Sequence, residues 1–285
     1  MKVLVTGASG FVGRHLVQAL LARGCEVRAV ARRVEPARAL PWFDQVEFVA
    51  ADVHDEALDV AALVEGVDAL AHLAWPGLPN YQALFHFEHN LMADYRFIKK
   101  AVEAGTSQVL VTGTCFEYGL QSGPLDEQTA PQPANPYGLA KNTLRLFLEH
   151  LQREHPFTLQ WARLFYLHGA GQNPNSLLAA LDRAIDTQAA VFDMSGGEQL
   201  RDYLPIETAA AHLAGLLLRR RFNGVVNCSS GKPVSVRALV EAHLRERGAA
   251  LRLNLGHYPY PTHEPMAFWG VADRLQTLLG AAHDA

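Results

Sequence analysis

Val3-Leu4-Val5-Thr6-Gly7-Ala8-Ser9-Gly10-Phe11-Val12-Gly13 stands almost at the start of the chain. The apolar run Val3 to Val5 reads as a buried strand. Leu16, Ala19, Leu20 and Ala22 recur at helical spacing within Arg14 to Arg23. The turn between them carries three glycines in a G-x-x-G-x-x-G spacing. Gly7 permits a tight turn, Gly10 lacks the Cβ that would hold a pyrophosphate off the backbone, and Gly13 lets the helix pack close to the strand. The free N–H groups and positive dipole end of the helix then face an anion. Glycines also serve ordinary turns, and the spacing is not the commoner G-x-G-x-x-G. The order strand, glycine turn, helix is what points to a dinucleotide.

The remainder of the composition narrows the class. Of 285 residues, 49% are apolar and 19% charged, which is ordinary for a globular chain and leaves room for a large domain with a smaller partner. A net charge of −4 without a basic block argues against nucleic acid. No apolar run approaches the ~20 residues of a membrane span. Met1-Lys2-Val3 enters the strand at once, with no signal-peptide pattern. Cys25, Cys115 and Cys228 are widely spaced and match neither a disulfide framework nor a Cys-x-x-Cys metal site, so a reducing cytoplasm is expected. Among the histidines, His86 and His89 lack a third ligand, His257 and His263 lie far away, and His263-Glu264-Pro265 is not the H-E-x-x-H zinc motif. No metal site is expected.

Strand and helix patterns alternate through the first half. Strands are expected at 26–31, 46–50, 67–73, 108–112 and 158–163, and helices at 56–65, 86–104 and 136–154. Repeated β-then-α units imply a doubly wound parallel sheet, with its ligand at the carboxyl ends of the strands. After Phe165 the rhythm changes. Helices are expected at 177–187, 208–220 and 236–247, a strand at 225–228, and two short strands within 191–206 around Ser195-Gly196-Gly197. The tail from Tyr258 to Trp269 is aromatic and Pro-rich. The expected fold is α/β: a Rossmann domain over 1–165, rejoined by 207–230, and a smaller discontinuous substrate lobe of 166–206 and 231–285.

The second chemical signal is Tyr137-Gly138-Leu139-Ala140-Lys141. Tyr and Lys four apart share one helix face. An ammonium beside a phenol favours the phenolate, lowering a pKa ordinarily near 10, and such a tyrosine can exchange a proton with a substrate oxygen. An isolated Y-x-x-x-K is more often a plain polar face. This one follows a strand ending in Thr112-Gly113-Thr114, which sets the Thr114 hydroxyl where such a sheet places its active site.

With these residues in view, the chain resembles the extended short-chain dehydrogenases/reductases of the nucleotide-sugar epimerase, dehydratase and reductase type. The likeness rests on Thr6 to Gly13, Asp52-Val53, His72-Leu73-Ala74, Asn90, Thr112 to Gly119, Tyr137 to Lys141, Arg163 to Gln172 and Arg201-Asp202-Tyr203. It implies a catalytic triad of Thr114, Tyr137 and Lys141, with Lys141 also on the nicotinamide ribose. It implies a cofactor site of Gly7, Ser9, Gly10, Phe11, Val12, Gly13, Leu73, Ala74, Asn90, Thr112 and Phe165, with Asp52 and Val53 on the adenine. It implies substrate contacts from Cys115, Phe116, Tyr166, Asn175, Ser176, Trp269 and a diphosphate-binding Arg201. Pairing of Arg201 with Asp202 is the structural alternative.

Departures from the family pattern refine this expectation. Ala31 stands where NAD-preferring relatives carry an acidic residue, and Arg32 and Arg33 follow; two guanidiniums suit a 2′-phosphate, so NADP(H) is favoured, with NAD(H) possible. Cys115 and Phe116 replace the Asp-Glu pair of the sugar dehydratases, which disfavours elimination of water. Tyr166 replaces an Asn that usually contacts the sugar. The segment Glu264 to Gly270 resembles reductases of nucleotide-linked 4-keto-6-deoxy sugars. The favoured expectation is an NADPH-dependent reductase of such a sugar, dTDP-linked, with a nucleotide-sugar 4-epimerase or a non-catalytic NADP-binding sensor as alternatives. Helices 86–104 and 136–154 carry apolar residues on more than one face, and the resemblance implies a homodimer paired through them.

Overall fold

β1 (Lys2–Thr6) lies inside a seven-stranded sheet in which every neighbouring pair is parallel. The computed structural model describes residues 1–260 and 264–280. From β1 the chain runs through α1 (Phe11–Leu21), β2 (Glu26–Ala31), α2 (Glu35–Arg38) and β3 (Glu47–Ala50). It returns by α3 (Val60–Val64) to β4 (Ala69–His72) on the other side of β1, then continues through α4 (Leu91–Glu103), β5 (Gln108–Thr114), β6 (Gly123–Leu125), α5 (Pro136–Glu154) and β7 (Thr158–Leu164). The order β12-β7-β5-β4-β1-β2-β3 is completed by β12 (Gly224–Cys228), which follows α7 (Ile206–Leu217). The order reverses between β1 and β4, and the crevice outside their carboxyl ends is where such a sheet takes its ligand.

Alternation along the strands explains why both faces are covered. Val3 and Val5 point into one core with Leu16 and Leu20 of α1 and Leu213 and Leu217 of α7. Leu4 points into the other, with Phe97 and Ile98 of α4 and Leu144 and Leu148 of α5. A strand buried on both faces must read as a continuous apolar run, as Val3-Leu4-Val5 does.

The smaller lobe is made of short pieces: β8 (Tyr166–His168), α6 (Leu177–Asp186), β9 (Val191–Asp193), β10 (Leu200–Arg201), β11 (Tyr203–Pro205), β13 (Val234–Ser235), α8 (Val236–Glu246), β14 (Arg252–Asn254) and β15 (Phe268–Gly270). The strands on either side of Ser195-Gly196-Gly197 do not pair with each other. β9 pairs with β14, β10 with β13 and β11 with β8, so the lobe is tied together across long sequence separations. β15 pairs with β6, a strand the pattern reading leaves out because Gly123-Pro124-Leu125 lacks any periodicity. α9 (Asp273–Gly280), inside the span expected for the substrate lobe, packs instead on the sheet side: Leu275 is buried in the same core as Val3 and Leu213. The expected helix at 56–65 shortens to α3, because Asp59 caps it by accepting from the Ala62 N–H at 3.0 Å. The expected helix at 86–104 begins with a π-helical turn, His86–Asn90.

The glycine turn is held as its spacing requires. Gly7 has φ +67°, and a Cβ on Gly13 would sit 2.1 Å from the Gly7 carbonyl oxygen. Gly13→Ala therefore forces α1 away from β1 and is expected to cost about 1–3 kcal/mol. Urea denaturation checks this; an unchanged midpoint would show that the close helix–strand approach carries no strain.

Candidate active site

α5 starts where it does for three local reasons. The Asn135 side chain accepts from the Gly138 N–H at 2.8 Å, Pro136 occupies the first helical position, and Gly138 lets the turn press on the Phe116 carbonyl, 2.5 Å from where a Cβ would lie. The Tyr137 N–H donates to the Tyr81 carbonyl at 3.2 Å. Tyr137 is thereby fixed beside Thr114, the last residue of β5. Thr114 is held in turn by Glu117, whose buried carboxylate accepts from the Thr114 N–H at 2.8 Å, from Trp161 Nε1 at 2.9 Å and from Arg163 Nε at 2.8 Å. Arg163 lies over the Tyr118 ring, and the Tyr118 hydroxyl is 2.8 Å from Asn227 Oδ1 on β12.

Thr114, Tyr137 and Lys141 all line a cleft of about 840 Å³ at the carboxyl ends of β1, β4 and β5. Burial pushes the Tyr137 phenol well above its ordinary range, with Tyr81 and Glu117 adding to the effect. Burial also pushes the Lys141 ammonium down to about 8, against the opposing pull of Asp94 and Glu117. The expectation that Lys141 lowers the phenol is corrected for this state of the protein. Its Nζ stands 3.9 Å from the centre of the Trp75 ring and has no hydrogen-bond partner among the described residues. Burial thus dominates the phenol.

Of the residues expected to hold the dinucleotide, Gly7, Ser9, Gly10, Phe11, Val12 and Gly13 line this cleft, with Arg32, Asp52, Val53, Leu73, Ala74, Thr112 and Phe165 along it. Arg14, which sequence reasoning overlooks, clamps the turn by donating to the carbonyls of Ser9 at 3.1 Å and Gly10 at 3.3 Å. No acidic residue enters the first turn of α1, so its N–H groups remain suited to an anion. A glycine turn open to the cleft and, in the same cleft, a buried ammonium with no hydrogen-bond partner among the described residues fit a nicotinamide dinucleotide, whose phosphates the α1 terminus and whose ribose hydroxyls Lys141 would hold.

A buried carboxylate stiffens that side of the cleft. Asp94 on α4 takes His54 Nε2 at 2.8 Å and His72 Nε2 at 3.0 Å on one oxygen. His72 Nδ1 is 3.0 Å from the Thr6 hydroxyl, which accepts from the Leu73 N–H at 3.1 Å and the Ala74 N–H at 3.3 Å. The His54 N–H returns to Asp52 Oδ1 at 3.0 Å. One carboxylate therefore connects Asp52, expected on the adenine, with Leu73 and Ala74, expected to line the cofactor. Asp94 and His54 were not legible as functional, since isolated acids and histidines carry no spacing signal.

Of the expected substrate residues, Cys115, Phe116, Tyr166, Asn175 and Ser176 line the cleft. Burial pushes the Cys115 thiol far up, leaving it a packing residue. Ser176 Oγ is buried without a hydrogen-bond partner among the described residues, and the buried Tyr166 hydroxyl lies near the Glu264 carboxylate.

Four expected residues lie elsewhere. Arg33 is exposed and outside the cleft, one position past Arg32 and beyond the end of β2. Asn90 is buried, donating its amide to the Pro76 carbonyl at 3.0 Å. Arg201 is buried, with its fork taken by Glu264 at 2.9 Å and by the Leu200 and Met266 carbonyls. Its partner is thus Glu264; Asp202 instead accepts from the Ser230 and Gly231 N–H groups. Trp269 is half-buried on β15, while its neighbour Phe268 packs inward under Arg201. Trp75, Pro76, Leu78, Pro79 and Tyr81 line the cleft unexpectedly, from a loop with no periodic pattern. No group of three His, Cys, Asp or Glu able to hold a metal occurs among the described residues, and His263 lies outside them. No described helix is long and apolar enough to cross a membrane.

A doubly wound sheet, a glycine turn on a helix terminus and a Thr, Tyr and Lys at the same cleft define a dinucleotide-dependent oxidoreductase. Residues 3–228 match the NAD dependent epimerase/dehydratase family. A dTDP-6-deoxy-L-talose 4-dehydrogenase (NAD(+)) from Aggregatibacter actinomycetemcomitans is 30% identical, the match covering 95% of this chain and 99% of that one. A UDP-glucose 4-epimerase from Halalkalibacterium halodurans is 26% identical, over 98% and 90% of the two chains. The solved structure of MoeE5 in complex with UDP-glucuronic acid and NAD superposes with TM-score 0.83 at 26% identity, covering 100% of this chain and 94% of that chain. The chain belongs to the NAD dependent epimerase/dehydratase family of extended short-chain dehydrogenases/reductases and is an NAD(P)-dependent enzyme.

The His54–Asp94 pair carries a pH signature. Burial lowers the His54 imidazole, but the Asp94 carboxylate outweighs it and the net shift is upward. Burial raises Asp94, and the two histidines with Lys141 more than reverse this, leaving it below the usual carboxylate range. A raised histidine stabilises fully below its unfolded value of about 6.5 and loses that contribution as pH rises through its folded value. A depressed carboxylate contributes above its unfolded value and loses it as pH falls through the folded one. His54→Gln is therefore expected to cost about 1.5–3 kcal/mol at pH 6 and clearly less at pH 9. Urea denaturation at both pH values measures it; a loss independent of pH would show that the pair is not charged.

Proposed function

We propose that this enzyme is an NADPH-dependent reductase of a nucleotide-linked 4-keto-6-deoxyhexose, with dTDP as the nucleotide. The observation that carries the reading is the aromatic wall around Tyr137. Trp75, Tyr81 and Phe116 form it, with ring centres 5.9 Å, 5.6 Å and 6.4 Å from that of Tyr137. Such a mostly aromatic wall suits a C6 methyl better than a C6 hydroxyl, whose desolvation only the Tyr81 phenol would offset. Similarity to a dehydrogenase named for C4 of a dTDP-6-deoxy sugar supports the same substrate class. With Cys115 buried and Phe116 apolar, neither supplies the acid or base for eliminating water.

The nicotinamide of NADP(H), held by the glycine turn and Lys141, would supply the hydride that C4 receives. Tyr137 gives its phenolic proton to the C4 oxygen, so the carbonyl gains one hydride and one proton and becomes an alcohol. Thr114 steadies the oxygen as its charge develops. Lys141 beside the ribose favours the phenolate left behind. Tyr166 and Ser176, which line the cleft, are assigned to the sugar and its diphosphate. The cytoplasm is the proposed setting, where three free buried cysteines stay reduced.

The experiment is NADPH oxidation with purified protein and dTDP-4-keto-6-deoxyhexoses. Turnover only with keto-sugar supports the reading; tightly retained NAD⁺ with interconversion of C4 epimers would establish the epimerase, and binding without turnover a sensor. Tyr137→Phe is expected to lower kcat at least 100-fold with cofactor binding retained. Near-wild-type kcat would remove the phenol from catalysis.

NADP(H) is proposed over NAD(H) because Arg32 lines the cleft just past β2 and Ala31, the last residue of that strand, carries no carboxylate. Arg32→Ala is expected to weaken NADPH by about 1.5–3 kcal/mol and NADH little, while Arg33→Ala changes neither much. Equal losses for both cofactors, read by titration calorimetry, would refute the 2′-phosphate contact.

A homodimer through α4 and α5 is also proposed. Leu91, Phe97, Ile98, Leu144, Leu148 and Leu151 are spent on the sheet, whereas Met92, Leu146 and Phe147 stay exposed on the outer face. Tyr95 packs edge-on against Phe147, joining the two helices under that patch. Sedimentation equilibrium is expected to give two-chain mass for the wild type and one-chain mass for Phe147→Glu. A wild type of one-chain mass at micromolar concentration refutes the dimer.

A further inference from the structure

We propose that Trp75 is a positioning residue for Lys141, its indole face serving as the seat that aims the ammonium at Tyr137 and keeps it charged. This rests on the assignment of Lys141 to catalysis. The ammonium is 3.9 Å from the centre of the Trp75 ring, and its Nζ is buried with no hydrogen-bond partner among the described residues. A desolvated cation over an indole face is the strongest form of this attraction, because the ring quadrupole replaces part of the lost hydration. The same indole meets the Tyr137 ring edge-on at 5.9 Å, so one side chain touches both members of the pair.

The indole is itself held. Its Nε1–H donates to His86 Nδ1 at 3.0 Å, which requires the other ring nitrogen, Nε2, to carry the proton donated to the Asn80 carbonyl at 2.9 Å. Asn90 holds the next residue through the Pro76 carbonyl at 3.0 Å. His86 and Asn90 are the two ends of the π-helical turn, a rare local geometry that concentrates at functional sites. The widened turn brings both residues to the Trp75-Pro76 loop.

The charged and titratable groups around Lys141 are Tyr137 on its own helix, Asp94 on α4, Glu117 after β5 and His86 on the π-helical turn. Asp94 and Glu117 favour the ammonium, while burial opposes it. His86 is held below its ordinary value by burial, so its titration falls beneath that of Lys141.

The test has two arms. In cofactor-free protein, tryptophan emission is followed from pH 6.5 to 9.5, and the difference between wild type and Trp75→Phe isolates Trp75 from Trp42, Trp161 and Trp269. A step near the Lys141 titration that disappears in Lys141→Met is expected; a step that survives Lys141→Met, or no step, overturns the contact. In the second arm, kcat/KM for NADPH and the keto-sugar is measured against pH. Trp75→Leu keeps apolar bulk without a ring, and its alkaline limb is expected about one pH unit lower, with Trp75→Phe moved less because a ring remains. Wild-type limbs in both variants overturn the positioning role. If Lys141→Met itself turns over at the wild-type rate, the catalytic assignment beneath the proposal falls, and the emission step judges the contact alone. That arm needs neither Trp75→Leu to fold nor any turnover.

Discussion

A carboxylate with no access to water must find its partners inside the protein, and Glu117 finds three. It takes the Thr114 N–H, the Trp161 indole and the Arg163 guanidinium from β5 and β7. Arg163 is equally buried, so neither ion can be removed without stranding the other, a loss of about 3–5 kcal/mol. The pair therefore fixes the end of β5 against β7, and with it Thr114. Through the Arg163–Tyr118 stack and the Tyr118–Asn227 contact the same constraint reaches β12. The 3-10 turn after Thr114 also presses on the first turn of α5, which positions Tyr137. The placing of Thr114 and Tyr137 side by side in the cleft thus depends on one buried ion pair.

The cofactor side follows a similar logic with different chemistry. Asp94 collects His54 and His72, and through Thr6 secures the backbone of Leu73 and Ala74. Strand ends otherwise fray because their last polar groups have no ladder partner. A buried acid bridging two of them keeps the crevice open and rigid without crossing it. The cost of burying Asp94 is offset by two imidazoles and a nearby ammonium, and this is why its charge survives.

The lobe uses neither device. Its short strands pair across wide gaps in sequence, and its core of Leu178, Leu181, Met194, Val240 and Leu244 is small. Arg201 shows the consequence. The ion pair with Glu264 and the carbonyls of Leu200 and Met266 use its fork to tie the tail to β10, so a charge that resemblance assigns to a ligand serves the fold in this state.

What the sequence determined by itself was local or periodic. Val3 to Gly13 specified strand, turn and helix because glycine chemistry and apolar alternation act between neighbours. Thr114, Tyr137 and Lys141 were legible because helix spacing and strand ends place them in a doubly wound sheet, and all three line the cleft. Tertiary structure alone decided the rest. Glu117–Arg163, Asp94–His54 and Arg201–Glu264 join residues 46, 40 and 63 positions apart, and nothing in a one-dimensional pattern marks such partners. The Trp75–Tyr81 loop, β6 and β15 have no period to read, so their place at the site or beside it is set by what they pack against. The Lys141 ammonium on Trp75, the phenol raised by burial and the seating of Leu275 under the sheet all follow from desolvation, which is a property of the folded interior and not of any residue alone.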